Sequence, residues 1–246
     1  MSKRTVPQHT PSKHIGIVGC SAEGASLCYR TICAEGAALL GPHAHPEISM
    51  HTPSLADYVR CLDAGDIEGV DIEGIGDLML ASAEKLARCG ADFLICPDNT
   101  IHQAFDYVVE RSPLPWLHIA EVVAQEVQNR GYKKLGLTGT KWLLESDVYP
   151  QKLKERGLEY LRPEPNVRRE INRIIMDELV MGLFKPKSTA YFQQIIDRLR
   201  QAGCDAVILG CTEIPLIIND DNSSLPTLDS TRLLARAALG RAVKIE

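Results

Sequence analysis

Residues 90–100 (GADFLICPDNT) and 203–213 (GCDAVILGCTE) are two versions of one pattern. Gly90 aligns with Gly203, Asp92 with Asp205, Ile95 with Ile208, and Asp98 with Cys211. Each copy follows a helical run ending in glycine, LASAEKLARCG and QQIIDRLRQAG. Each then crosses an apolar strand to a polar residue that opens the next helix. KHIGIVGC (13–20) is echoed likewise by KKLGLTGT (133–140). Repeated strand–helix units predict two similar α/β halves. Open α/β sheets bind ligands beyond the carboxyl ends of their strands. Asp98 and Cys211 would therefore reach a shared cleft, one from each half. Two proton-carrying groups flanking a small substrate suggest proton chemistry on two faces of one atom.

The alternation of apolar runs and helical patterns along the chain predicts mostly parallel sheets covered by helices. Strands are expected at 15–19, 47–52, 93–96, 134–138 and 205–209, with short extended pieces at 158–163 and 226–229. WLHI (116–119) starts the unit that follows the Ser112–Pro115 punctuation. Helices are expected at 21–40, 71–89, 99–110, 120–130, 145–155, 167–182 and 188–202. A short one follows Thr212, and a final one is capped by Ser230. Residues 1–13 read as a flexible extension, 14–118 as a first domain and 119–228 as a second. The tail, 229–246, is expected to pack back onto the first domain.

The chain has 246 residues, 45% of them hydrophobic, and a net charge of −5, which argues against nucleic acid or an anionic membrane as partner. No apolar run approaches the ~18 residues of a membrane span, and the polar start carries no signal-peptide core. The eight cysteines show no CxxC pairs. Six of them, Cys20, Cys28, Cys33, Cys61, Cys89 and Cys204, read as reduced, half-buried residues of a cytoplasmic protein.

Cys211 is the strongest single candidate. It follows an apolar strand and precedes Thr212-Glu213, where a helix N-terminus would stabilise a thiolate; the alternative is an inert buried cysteine. Gly210 would let a ligand approach the backbone. Asp98 either joins Cys211 in proton transfer or simply caps the next helix. Asn99, Thr100 and Thr212 offer donors for a substrate carboxylate, or serve as caps. The small turn from Gly19 through Cys20 and Ser21 could cradle an anion but is not a dinucleotide fingerprint. His43, His45 and His51 lack a carboxylate partner for a metal. No Walker sequence, PLP-lysine context or nucleophile elbow occurs, so no cofactor, metal or nucleotide is expected.

GIVGCSAEGAS (16–26), PDNT-x-H (97–102), GLTGTKWLLESDVY (136–149), GCTEIPL (210–216) and PTLDSTR (226–232) together resemble the aspartate/glutamate racemase family, its aspartate-racemase-like branch in particular. That resemblance covers about residues 14–243 and implies two pseudo-symmetric α/β domains with the active site in the cleft between them. It further implies a homodimer and PLP-independent racemisation of an amino acid, acidic ones such as aspartate or glutamate first. The catalytic pair would be Asp98 and Cys211, with Cys20, Ser21, Asn99, Thr100, Thr140, Thr212 and Glu213 around the substrate. The family usually carries cysteine at both catalytic positions, so Asp98 is a departure, as are Cys20 and Ser21 where a Gly-Met pair is usual. Ordinary pKa values of ~3.9 and ~8.5 make the resting pair aspartate plus neutral thiol. The proton-swapped form would then lie ~6 kcal/mol uphill unless the site shifts those values. Two rival readings remain. One is a decarboxylase or cis–trans isomerase of small carboxylic acids that uses Cys211 alone. The other is a non-catalytic small-molecule binding protein. Lys141, Lys185 and Lys187 are candidates for holding a second substrate carboxylate.

Overall fold

The computed structural model describes residues 12–64 and 70–244. The first half runs β1 (Ile15–Val18), α1 (Ala22–Leu40), β2 (Ile48–His51), α2 (Leu55–Asp63), α3 (Ile72–Arg88) and β3 (Phe93–Ile95). A 3₁₀ turn (Thr100–Ala104) leads into α4 (Phe105–Val109) and then β4 (Trp116–Leu117). The second half runs α5 (Ile119–Arg130), β5 (Lys134–Thr138), α6 (Lys141–Glu145), α7 (Val148–Glu155), β6 (Glu159–Leu161) and α8 (Pro165–Ile174). Helix α8 widens into a π-helical segment (Ile175–Leu179). Then come α9 (Pro186–Gln201), β7 (Ala206–Leu209), a 3₁₀ turn (Ile214–Leu216), β8 (Thr227–Asp229) and α10 (Ser230–Val243).

Two parallel four-stranded sheets result, ordered β2-β1-β3-β4 and β6-β5-β7-β8. The registers of the central pairs correspond: Ile17 faces Ile95 in the first sheet, and Leu137 faces Ile208 in the second. The repeat therefore has a physical cause. Gly90 and Gly203 sit at φ +89° and +87°, just past α3 and α9, in the left-handed region that glycine adopts most cheaply. Asp92 accepts a hydrogen bond from the His14 amide at 2.6 Å, and Asp205 accepts one from the Lys133 amide at 2.7 Å. Each thereby pins the start of a central strand to its neighbour. The aligned aspartates and glycines are structural, and Asp98 with Cys211 is the aligned pair that differs in chemistry.

Helix α10 returns to the first half and lies along α1 and α5. Leu234, Ala235, Ala238 and Leu239 join Ile15, Ile17, Ile32 and Phe93 in one buried cluster. Arg236 closes the seam with a two-nitrogen bond to Glu35, 2.9 Å at each nitrogen. The Lys13 amide donates to the Ala242 carbonyl at 2.8 Å, so the chain is held in place from there. Residues 1–11, most of the expected flexible extension, lie outside the described residues. All eight cysteines are free thiols, and no described helix is long and apolar enough to cross a membrane.

Several expected elements are corrected. The helix expected at 145–155 starts later, at Val148, and a separate short helix that was not expected, α6, ends at Glu145 before it. The one expected at 99–110 begins as a 3₁₀ turn. Asp229, not Ser230, caps α10, accepting from the Arg232 amide at 3.0 Å. Helix α2 was not expected at all, and it supplies part of the pocket wall below. The seam makes a direct prediction. Leu234 is fully buried, so Leu234→Ala should cost about 2–5 kcal/mol, read by urea unfolding. A loss below about 1 kcal/mol would mean that α10 is not part of the core.

Candidate active site

The carboxyl ends of β3 and β7 open onto one pocket, lined by Cys20, Ser21, Asp98, Asn99, Thr100, Thr140, Cys211, Thr212 and Glu213. The expected acid/base pair and the seven residues expected around the substrate thus line one pocket, whereas the three lysine candidates do not. Asp98 and Cys211 each keep a partial opening into this pocket and are otherwise packed round by protein.

Asp98 Oδ1 accepts the amides of Thr100 at 2.9 Å and Ile101 at 3.3 Å. The Cys20 thiol also bonds the carboxyl. These donors hold its pKa down, but burial outweighs them and the charge of Glu213 adds to it, so Asp98 is pushed from 3.8 up to about 6. On the other side, the Cys211 thiol donates to Glu213 Oε2 at 2.9 Å, and Thr212 Oγ1 donates to the same oxygen at 2.7 Å. Burial first, and then Glu213, raise the Cys211 thiol well above the ordinary value. That overturns the expected helix-dipole activation. Only a three-residue 3₁₀ turn follows Cys211, too short to supply a substantial dipole, and the nearest charge is negative. Cys211 thus rests as a thiol.

Two hydroxyl pairs tie the halves together at the pocket. Ser21 Oγ lies 3.2 Å from Thr212 Oγ1. The Thr212 proton goes to Glu213, so Ser21 is the donor in that pair. Thr100 Oγ1 lies 2.9 Å from Thr140 Oγ1. Asn99 adds a third tie. It donates to Ser230 Oγ at 3.0 Å and accepts from the Tyr149 hydroxyl at 2.6 Å. Its side chain is thus committed to joining the halves, more than the sequence suggested. Gly210 is also reassigned: a Cβ there would sit 2.6 Å from the Thr138 carbonyl oxygen and 2.7 Å from Leu143. Strand packing, not ligand access, demands the glycine. Gly24 is needed in the same way, since a Cβ would fall 2.5 Å from Thr212 Cγ2 across the seam.

Sequence reasoning missed two sets of residues. His102 is one: its Nε2 accepts the Ile119 amide at 3.3 Å, so Nδ1 carries the proton and donates to the Asp98 carbonyl at 2.7 Å. Burial and the neighbouring His118 push its pKa down to about 3, so it stays neutral and holds the Asp98 turn against the start of α5. The PDNT-x-H spacing contained it without revealing that bond. The other set is an apolar wall of Leu55, Val59 and Leu62 from α2, Trp142 from α6, and Ile175, Met176 and Val180. No local motif marks these residues. The lysine candidates do not line the pocket. Lys141 places its ammonium 4.8 Å from the Trp142 ring centroid, Lys185 pairs with Glu178 at 3.5 Å, and Lys187 is exposed. His51 is spent on Ser82 and Lys85, at 3.0 Å each. Among the described residues no group of three or more His, Cys, Asp or Glu is placed to hold a metal ion.

Residues 15–238 match the profile of the Asp/Glu/hydantoin racemase family. The chain belongs to that family. It is 26% identical over 195 residues to the broad specificity amino-acid racemase RacX of Bacillus subtilis (strain 168), with 78% of each chain covered. An aspartate racemase homologue from Pyrococcus horikoshii OT3 superposes with a TM-score of 0.79 at 30% identity, covering 94% of this chain and all of that one. The Picrophilus torridus aspartate racemase shares the fold, with a TM-score of 0.74 at 20% identity over 93% of each chain. Family and neighbours support an amino-acid racemase, which is an isomerase.

The raised pKa of Asp98 has a consequence for stability. Between 3.8 and about 6 the folded chain holds this proton more tightly than the unfolded chain. The contribution of Asp98 to stability therefore falls as pH rises through that window. Asp98→Asn, which removes the charge, should melt a few degrees above the native protein at pH 7 and lose that advantage near pH 4. A variant that melts lower at pH 7 would refute the burial argument.

Proposed function

We propose that this family member racemises an amino acid without PLP or metal, by two-base proton transfer between Asp98 and Cys211. The observation that carries this reading is the pair itself: two acid/base groups, contributed by equivalent strand ends of the two halves, lining one pocket. With the substrate α-carbon between them, Asp98 removes the α-proton and the Cys211 thiol protonates the opposite face. Among the hydroxyls lining the same pocket, the Thr100–Thr140 pair keeps one proton for the α-carboxylate, while those of Ser21 and Thr212 are used in the bonded chain to Glu213. The negative charge of Asp98 and Glu213 suits the α-ammonium.

The carboxylate–thiol pair has an energetic asymmetry that the site only partly corrects. Raising Asp98 to about 6 makes it a better base and narrows the gap to the thiol. Raising Cys211 as well widens it again. The swapped state, Asp98 protonated beside a Cys211 thiolate, is stored against the Glu213 carboxylate and is the costly step of the cycle. Both enantiomers react from forms with the same total number of protons: Asp98 ionised with a thiol for one, protonated Asp98 with a thiolate for the other. The acid limb of kcat/KM should therefore be shared by the two enantiomers and fall near pH 6, as an apparent value for the pair. Limbs that differ between enantiomers, or a shared limb near pH 4, would contradict this.

Cys211→Ala and Asp98→Asn should each lower inversion about 10³-fold, within the span typical of a lost acid or base. The assay is chiral chromatography of L- and D-amino acids in deuterium oxide, with no cofactor added. Asp98→Asn that inverts its substrate normally would leave Asp98 as a cap only. Carbon dioxide release instead of inversion would favour a single-thiol decarboxylase.

A further inference from the structure

We infer that the substrate carries a neutral, apolar side chain rather than a second carboxylate. This inference rests on the amino-acid racemase reading and names the substrate class of that same pocket. The charged side chains lining the pocket are Asp98 and Glu213, both acidic, and no Lys or Arg lines it among the described residues. The cations nearest in sequence to the wall residues are already engaged. Arg173 bonds Glu170 at 2.8 Å and Glu178 at 3.0 Å, Lys185 serves Glu178 at 3.5 Å, and the Lys141 ammonium lies over the Trp142 ring, 4.8 Å from its centroid. Arg162 donates to the Ser146 carbonyl at 2.8 Å.

The pocket is divided by chemistry. Its polar groups come from the strand-end turns, where the reacting carbon and its carboxylate would lie. The remaining wall is supplied by Leu55 and Val59 of α2, Trp142 of α6, and Ile175, Met176 and Val180 at the end of α8. A side-chain carboxylate on the substrate would be placed against that wall with no counter-ion, in a pocket that already holds two acids. A buried charge without a partner is strongly disfavoured. A leucine-, methionine- or phenylalanine-sized side chain would instead bury apolar surface there. The indole of Trp142 and the unbranched, adaptable Met176 suit a range of such shapes.

The test is a side-chain series read in two independent ways: binding by calorimetry and α-deuterium exchange with inversion, on the native protein. L-Leucine, L-methionine and L-phenylalanine should exceed L-aspartate and L-glutamate by at least about 100-fold in kcat/KM, the scale set by burying an unpaired charge. They should also bind where the acidic pair does not. Met176→Lys, which puts a cation on the wall at little change in length, should narrow that ratio about ten-fold or more. Aspartate or glutamate binding and reacting as well as leucine in the native protein would overturn the inference and leave the racemase reading standing. Leucine binding in preference to aspartate, with no exchange of any amino acid, would uphold the pocket's selectivity and defeat the racemase reading. Binding of none of the five would overturn the inference as well.

Discussion

The negative charge buried at Asp98 is the constraint on which the site depends. A carboxylate packed round by protein must be held by donors or give up its charge. Here the Thr100 and Ile101 amides and the Cys20 thiol hold it. Burial and Glu213 pull the other way and leave it at about 6. Cys20 and Ser21 serve this arrangement from the β1 turn. The thiol at position 20 supplies Asp98 with a donor, and the hydroxyl at 21 starts the bonded chain through Thr212 to Glu213.

The pseudo-symmetry of the fold sets where these groups meet. Each sheet has the same strand order, so β1 and β3 of one half stand as β5 and β7 do in the other. The seam then repeats itself: a β1 turn residue meets a residue beyond β7, Ser21 to Thr212, and a residue beyond β3 meets one beyond β5, Thr100 to Thr140. Small side chains and glycines make that approach feasible, Gly24 against Thr212 above all. Symmetry is broken in the reacting groups. One side holds a carboxylate among donors, and the other a thiol against a carboxylate.

How much of this was legible in the sequence depends on the range of the interaction. Gly90, Gly203, Asp92 and Asp205 act on near neighbours in a repeated unit, so the repeat exposed the two sheets and both strand ends. Asp98 and Cys211 followed because the topology of such sheets places strand ends in a cleft. What stayed hidden depends on contacts between elements distant along the chain. Helix α2 lacks a repeat partner, and its Leu55, Val59 and Leu62 read as any amphipathic segment. His102 matters through a bond to Ile119 across the first half. The effect of Glu213 on Cys211 was legible as adjacency but not as sign: a helix start was expected to favour the thiolate, and the carboxylate two residues on opposes it. Lys141, Lys185 and Lys187 could be weighed for an acidic substrate only once the pocket wall was visible.

Proton transfer between Asp98 and Cys211 depends on the ionisation of Asp98 in the resting protein. The direct measurement is the carbon-13 shift of its side-chain carboxyl as a function of pH, with the resonance assigned by its loss in Asp98→Asn. A single main transition near pH 6 is predicted, with the carboxyl protonated below it. A transition near the ordinary aspartate value of 3.8 would mean that the carboxylate is well solvated or well paired. Asp98 would then lack the basicity that the proton transfer needs, and the carboxylate–thiol pair could not be the working couple.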